Sequence, residues 1–255
     1  MLAARFASVK KLAFLSLLIA LRASAHDFWL EPSTFRPAPQ QTITVGLRVG
    51  QDIIGDPIPR SASLIGSFFV RDRRGDRPIS GIENHDPAGF LRLSENGVAL
   101  LGYVSKPYPL ELTPDKYREF LRLEGFDSVQ APNTTHHEQF SRYAKAVVGT
   151  GTGAALDQPL GWRFEIIPQS NHLAAEPLRV RVLLDGKPLA GALLTAMNRD
   201  DPRARVAQRT SRSGTATLAL RKSGVWLVKC VALVPAKPGS GLDAETLWAS
   251  LTFER

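Results

Sequence analysis

The stretch LRVRVLLDGKPLAGALLTAM, residues 178–197, contains the signals on which the fold class depends. Its first seven residues are mostly apolar and branched, which is typical of a β-strand. Asp185 and Gly186 then form a dipeptide that favours a tight hairpin turn, because both residues tolerate a positive φ. A second apolar segment ends the stretch. These residues therefore predict a strand, a hairpin turn and another strand.

The same signals recur in both directions along the chain. TITVGLRV, residues 42–49, alternates apolar and polar residues with the period of a half-buried strand. Residues 161–255 carry about seven short strand candidates separated by turns, which is typical of a β-sandwich. Further strand candidates before residue 113 are SLIGSFFVR at 63–71, GVALLGYVS at 97–105 and YPLEL at 108–112.

The apolar period changes between residues 113 and 148. TPDKYREFLRLEG offers Thr113 as an N-cap, Pro114 at the first helical position and Gly125 as a C-cap, so it predicts a helix over 114–124. In NTTHHEQFSRYAKAVV, apolar residues recur at helical spacing from Phe140 onwards, which predicts a second helix over 135–147.

Together these patterns predict a mainly β protein. We expect two β-sandwich domains of immunoglobulin-like or transthyretin-like type, with a short helical insertion in the first. The first domain is expected to cover residues 26–148 and the second residues 160–255. GTGTGAALDQP, residues 149–159, is interpreted as the linker between them.

The first 25 residues have the organisation of a signal peptide. Basic residues precede the apolar run LAFLSLLIAL, and Ala23 and Ala25 occupy the small-residue positions of a cleavage site. We therefore expect cleavage between Ala25 and His26 and a soluble periplasmic product without a membrane span. Four basic residues and no acidic residue leave with this segment, so the formal charge falls from +8 to +4. An excess this small does not indicate a nucleic-acid partner.

Cleavage at that position would make His26 a candidate metal ligand. The residue would then offer its α-amino nitrogen and its ring Nδ1 to one metal ion in a six-membered chelate. Imidazole and amine nitrogens suit nickel, copper and zinc, and an α-amine can lose its proton to a metal near neutral pH. The alternative interpretation is that His26 only begins the first strand.

A site of this kind needs another imidazole, and His136 and His137 are the candidates. At the start of the predicted second helix, both rings would be kept neutral by the positive end of the helix dipole. The alternative is that both are solvated residues of the first turn. His85 and His172 lie in turn-like stretches and are interpreted as loop residues, whereas Cys230, in VWLVKCVALV, is interpreted as a buried core thiol.

Several blocks give the chain a family resemblance; they are HDFWLEPSTFRPAP, VGLRVGQ, GDPIPR, FSRYAKAVV, QPLGWRFEIIPQSN, GVWLVKCVALVP and LWASLTFE. They resemble an exported bacterial domain-of-unknown-function family, DUF4198, which is described as a periplasmic component of cobalt or nickel transport. The resemblance implies two β-sandwich-like domains, the second similar to carboxypeptidase-regulatory or transthyretin-like domains. Within the matching blocks, His26 is the metal ligand that the resemblance carries over.

No nucleophile elbow, phosphate-binding loop or dinucleotide fingerprint occurs in the sequence. We therefore expect a protein that is not an enzyme. The resemblance, together with the candidate ligand His26, implies that it handles nickel, cobalt or copper in connection with uptake, with an inner-membrane permease as its partner. One alternative is a structural or interaction β-sandwich without metal. Another is a copper monooxygenase, because such enzymes also use an N-terminal histidine on a β-sandwich.

Overall fold

The computed structural model describes residues 26–93, 97–151, 154–169, 173, 177–201 and 203–255. The predicted signal peptide and His172 lie outside these residues. One helix, α1 (Pro114–Leu123), and seventeen strands are present in the described part of the chain. The strands are β1 Asp27–Pro32, β2 Thr42–Gln51, β3 Ile54–Ile58, β4 Ile65–Asp72, β5 Gly75–Pro78, β6 Gly89–Arg92, β7 Ala99–Ser105, β8 Tyr108–Leu112, β9 His136–Val148, β10 Phe164–Pro168, β11 Leu178–Leu184, β12 Lys187–Pro188, β13 Leu193–Asn198, β14 Arg205–Arg209, β15 Thr215–Leu218, β16 Val225–Pro235 and β17 Ala244–Glu254.

A nine-stranded sheet forms the centre of the molecule. Its order is β14-β13-β16-β17-β9-β7-β4-β5, and β8 pairs with the first part of β9. Strands from before and after residues 149–159 meet in this sheet, where β17 runs parallel to β9 from Ala244 opposite Glu138 to Thr252 opposite Ala146. All other neighbours in the sheet are antiparallel. The division into domains at 26–148 and 160–255 remains a prediction.

Both faces of the central sheet are covered. The first face packs against a four-stranded sheet made of β10, β11, β12 and β15, and its core includes Phe164, Val180 and Trp226. The second face packs against a sheet of β1, β2, β3 and β6. Helix α1 covers the rest of the second face through Phe120, which packs near Trp248. The mainly β, sandwich-like prediction is confirmed.

The hairpin predicted from Asp185 and Gly186 is present. The two residues have φ angles of 49° and 73°, which is the left-handed backbone that a two-residue hairpin turn requires. They connect β11 to the two-residue strand β12. The following strand, β13, leaves this sheet and pairs with β14 and β16 in the central sheet, so the stretch contributes to two layers.

Helix α1 begins at Pro114 and ends at Leu123, one residue before the predicted end. Gly125 follows with a φ of 72°, as its predicted role at the helix end requires. Thr113 occupies the N-cap, although its side chain makes no capping hydrogen bond. No helix in the described part of the chain is long and apolar enough to cross a membrane.

The predicted second helix over 135–147 is wrong, because these residues form strand β9. From Tyr143 to Val148 every residue of this strand is buried. A strand with both faces covered carries apolar residues at consecutive positions, so the alternation that identifies a half-buried strand is lost. The helical spacing of Phe140, Tyr143, Ala144 and Val147 follows from this burial.

The same double coverage corrects an expectation about β16. Trp226 and Leu227 point to opposite faces, so we expect from the sequence that only one of them is fully inside. Both are buried, with exposed fractions of 1% and 0%. Trp226 belongs to the core of the first face and Leu227 to that of the second. Cys230 is buried on the first face, as predicted.

Candidate functional site

Polar side chains concentrate on the second face, where α1 and β1 lie over β9, β16 and β17. His136 begins β9, and its ring is buried on this face beneath the helix. The ring stacks on Tyr117 of α1, with 3.6 Å between the ring centroids and 15° between the planes. The packing of α1 on the sheet therefore fixes the orientation of this imidazole.

Carboxylates flank both nitrogens of the His136 ring. Its Nε2 lies 3.3 Å from Oε2 of Glu138, and its Nδ1 lies 3.7 Å from Oδ2 of Asp243. Glu138 is two residues further along β9, so its side chain is on the same face. Thr246 donates a hydrogen bond of 2.6 Å to the other oxygen of Glu138, Oε1.

Two atoms at this site lack hydrogen-bond partners. Nε2 of His136 and Oε2 of Glu138 are buried, and neither makes a well-directed hydrogen bond with another described residue. Their separation of 3.3 Å matches the spacing of two ligands on one tetrahedral ion, which is about 3.3–3.4 Å for bonds of about 2.0–2.1 Å. Imidazole with carboxylate is also a ligand pair that zinc and its neighbours accept.

His137 points away from this pair. Consecutive residues of a strand face opposite sides, so the second imidazole is separated from the first by the sheet itself. The side chain of His137 is about half exposed, and its Nδ1 lies 3.5 Å from Oε1 of Glu111. The structure therefore does not bring His136 and His137 together as two ligands of one ion.

His26 lies directly before β1 and is partly exposed. It makes no hydrogen bond, ion pair or ring contact with another described residue, so neither His136 nor His137 contacts it. The four residues that follow, from Asp27 to Leu30, are all buried. Strand β1 therefore holds this position against the second face. His85 is exposed in a loop, with its Nδ1 2.8 Å from the carbonyl oxygen of Glu83.

A buried charge cluster that sequence reasoning missed lies beside His26. Nζ of Lys229 is 2.6 Å from Oδ1 of Asp27 and 2.7 Å from Oε1 of Glu124, which follows α1. The contact with Asp27 is an ion pair at short range but not a well-directed hydrogen bond. Burial raises the pKa of both carboxyls, against the opposing effect of Lys229. Lys229 inside the apolar run VWLVKCVALV was the signal that a carboxylate must be near.

No group of three His, Cys, Asp or Glu side chains that could hold a metal ion occurs among the described residues. If the His136–Glu138 pair held an ion, it would supply two ligands, and water or a further group would fill the remaining positions. Both side chains have a further contact, because Asp243 faces the other ring nitrogen of His136 and Thr246 donates to the other carboxylate oxygen of Glu138. Such supporting contacts are typical of metal ligands in proteins.

Comparison with known proteins gives one family. No curated protein sequence gives a significant match to the chain. A family model described as a domain of unknown function, DUF4198, matches residues 23–233. The match includes His26, His136 and every strand up to most of β16. Because this match covers well over half of the chain, the protein belongs to the DUF4198 family of domains of unknown function.

Proposed function

We propose that this protein is an exported, non-catalytic metal-handling protein that binds one divalent transition metal, nickel or cobalt before copper. The observation that carries the proposal is the buried His136–Glu138 pair, whose two facing atoms lack hydrogen-bond partners at a separation of 3.3 Å. The resemblance in sequence to proteins described as periplasmic components of nickel or cobalt transport supports the same proposal. An inner-membrane metal permease is the partner that this function implies.

His26 provides a separate candidate position for the metal. Cleavage after Ala25 would release its α-amine beside an imidazole that has no partner among the described residues. The buried strand β1 would hold this chelate in place. No described contact brings a second imidazole to His26, so no observation favours the copper monooxygenase alternative. His137, on the other side of the sheet, has no part in either position.

Equilibrium dialysis of the mature protein, beginning at His26, tests the proposal with Ni²⁺, Co²⁺, Cu²⁺ and Zn²⁺ in turn. If the metal lies at the buried pair, His136→Gln and Glu138→Gln each weaken binding by at least about tenfold, because each removes a ligand. His137→Gln is the matched control and leaves the affinity unchanged. If the chelate holds the metal, His26→Ala or one glycine added before His26 gives the loss instead.

Two results would overturn metal handling. Either the mature protein binds none of the four ions, or it binds one with an affinity that none of these substitutions changes. In the first case, the structural or interaction sandwich without metal is the function that stands. Thermal unfolding of each variant checks that a lost affinity does not reflect a lost fold.

A further inference from the structure

Arg142 has surroundings unlike those of the paired arginines in this structure. It belongs to β9 and faces the second face of the central sheet. Its guanidinium carbon, Cζ, lies over the ring of Phe28 at 4.7 Å and over the ring of Phe140 at 5.0 Å. Its backbone N–H donates to Oγ of Ser105 at 2.9 Å. The side chain is thus positioned by aromatic rings on neighbouring layers.

The guanidinium has no anionic partner in the described part of the chain. None of the guanidinium nitrogens makes a hydrogen bond or ion pair with another described residue, and the residue is partly buried. By contrast, Arg48 is paired with Glu31 and Asp86, and Arg163 is paired with Asp185 and Glu245. Burial lowers the pKa of Arg142 to about 10, with a small opposing effect from Tyr103. A partly buried cation with no described anion beside it and two aromatic rings against it is a reason to look for a ligand.

The aromatic contacts leave the hydrogen-bonding capacity of Arg142 unused. A cation–π contact involves the electron-rich ring face and needs none of the five N–H donors, which lie in the guanidinium plane. Those donors match the two oxygens of a carboxylate or a phosphate. Tyr108 packs on Phe140 with 5.6 Å between ring centroids and is 49% exposed, so the aromatic cluster reaches the surface.

We propose that Arg142 is the anchor of an oxyanion-binding site whose aromatic walls, Phe28, Phe140 and Tyr108, select an organic carboxylate over inorganic phosphate. The guanidinium would hold the two oxygens, and the rings would contact the apolar part of the ligand. The site differs in charge and chemistry from the His136–Glu138 pair. It stands whether or not the protein binds a metal.

Nuclear magnetic resonance of the arginine Nε–Hε groups in the mature protein tests this assignment directly. Benzoate, acetate and inorganic phosphate are titrated separately at matched ionic strength. Benzoate should shift the Arg142 signal saturably, and acetate should do so more weakly because it lacks a ring. The signals of Arg48 and Arg163, whose donors are already engaged, serve as internal controls and remain in place.

Substitution supplies the second readout. Arg142→Lys retains the charge but loses the paired donors, so benzoate affinity should fall roughly tenfold. Arg71→Lys, at an arginine already paired with Asp76, is the matched control and leaves the affinity unchanged. Saturable shifts with phosphate alone would identify the oxyanion as inorganic and overturn the aromatic selectivity. No saturable Arg142 shift with any probe, or equal benzoate affinity for Arg142→Lys and the native protein, would overturn the site.

Discussion

The two faces of the central sheet both bury charged groups, but they satisfy them differently. On the first face, Nζ of Lys145 lies 2.7 Å from Oε2 of Glu165 and donates to the carbonyl oxygen of Ile166. Backbone N–H groups of Leu160 and Trp162 donate to the same carboxylate. Every oxygen of this buried carboxylate therefore has a donor, and the pair joins β9 to β10.

The second face leaves several buried atoms without such partners. These atoms are Nε2 of His136, Oε2 of Glu138, Oγ of Ser250 and Oγ1 of Thr252. Positive and negative side chains on this face are also not paired one to one. Lys229 contacts two carboxylates, whereas Arg142 contacts none among the described residues. Buried polar groups are normally satisfied, so a concentration of exceptions on one face indicates where ligands or function are to be sought. The first face is expected to be structural.

The largest expected effect is on the first face. Lys145→Met should reduce the free energy of unfolding by about 3–5 kcal/mol, because it leaves the Glu165 carboxylate buried without its cation. Urea denaturation monitored by tryptophan fluorescence measures this loss. The double variant Lys145→Met with Glu165→Gln should recover part of it. A loss below about 1 kcal/mol for the single variant would show that the pair does not hold the layers together.

The buried carboxyl groups of the second face should make the free energy of unfolding depend on pH. Because burial raises the folded pKa of Asp27 and Glu124, protonation of these groups stabilises the fold below their ordinary pKa values of 3.8 and 4.5. This stabilisation is lost as the pH rises through their folded pKa values. The free energy of unfolding should therefore increase as the pH falls through these raised folded pKa values towards the ordinary ones.

The double variant Asp27→Asn with Glu124→Gln should flatten that increase. Asp76→Asn is the control, because Arg71 lowers the pKa of Asp76 and moves its contribution to lower pH. Urea denaturation at each pH gives the comparison. An increase of the same size in the double variant would mean that other groups cause it.

The smallest expected effect concerns two buried threonines. Thr252→Val removes a hydroxyl without a partner on the second face, so it should leave stability unchanged or raise it by about 1 kcal/mol. Thr210 is the matched control, because its hydroxyl donates to the carbonyl oxygen of Leu189 and accepts from the N–H of Ala192. Thr210→Val should destabilise by about 1 kcal/mol. Equal losses for both variants would contradict the contrast between satisfied and unsatisfied groups.

The sequence predicts local features well where one face of an element meets water or a turn has special geometry. Helix α1 and the turn at Asp185 were of this kind. It fails at β9, since burial on both faces removes the periodicity that distinguishes a strand from a helix. That error also placed His136 and His137 about a hundred degrees apart on a helix, whereas the strand sends them to opposite faces. A lysine within an apolar run indicates that a buried carboxylate lies nearby. Only the three-dimensional structure shows that the partner of Lys145 is Glu165 and that those of Lys229 are Asp27 and Glu124.

The parallel pairing of β9 and β17 also determines when the protein can assemble. Thr246 and Glu138, which share a hydrogen bond, are 108 residues apart in the chain. During synthesis, more than a hundred further residues must therefore follow β9 before the strand that pairs with it in parallel is available. Contacts between distant residues slow folding and leave strand edges exposed meanwhile. The edge of β9 that β17 will cover therefore stays open to pairing with other chains until β17 has been synthesised.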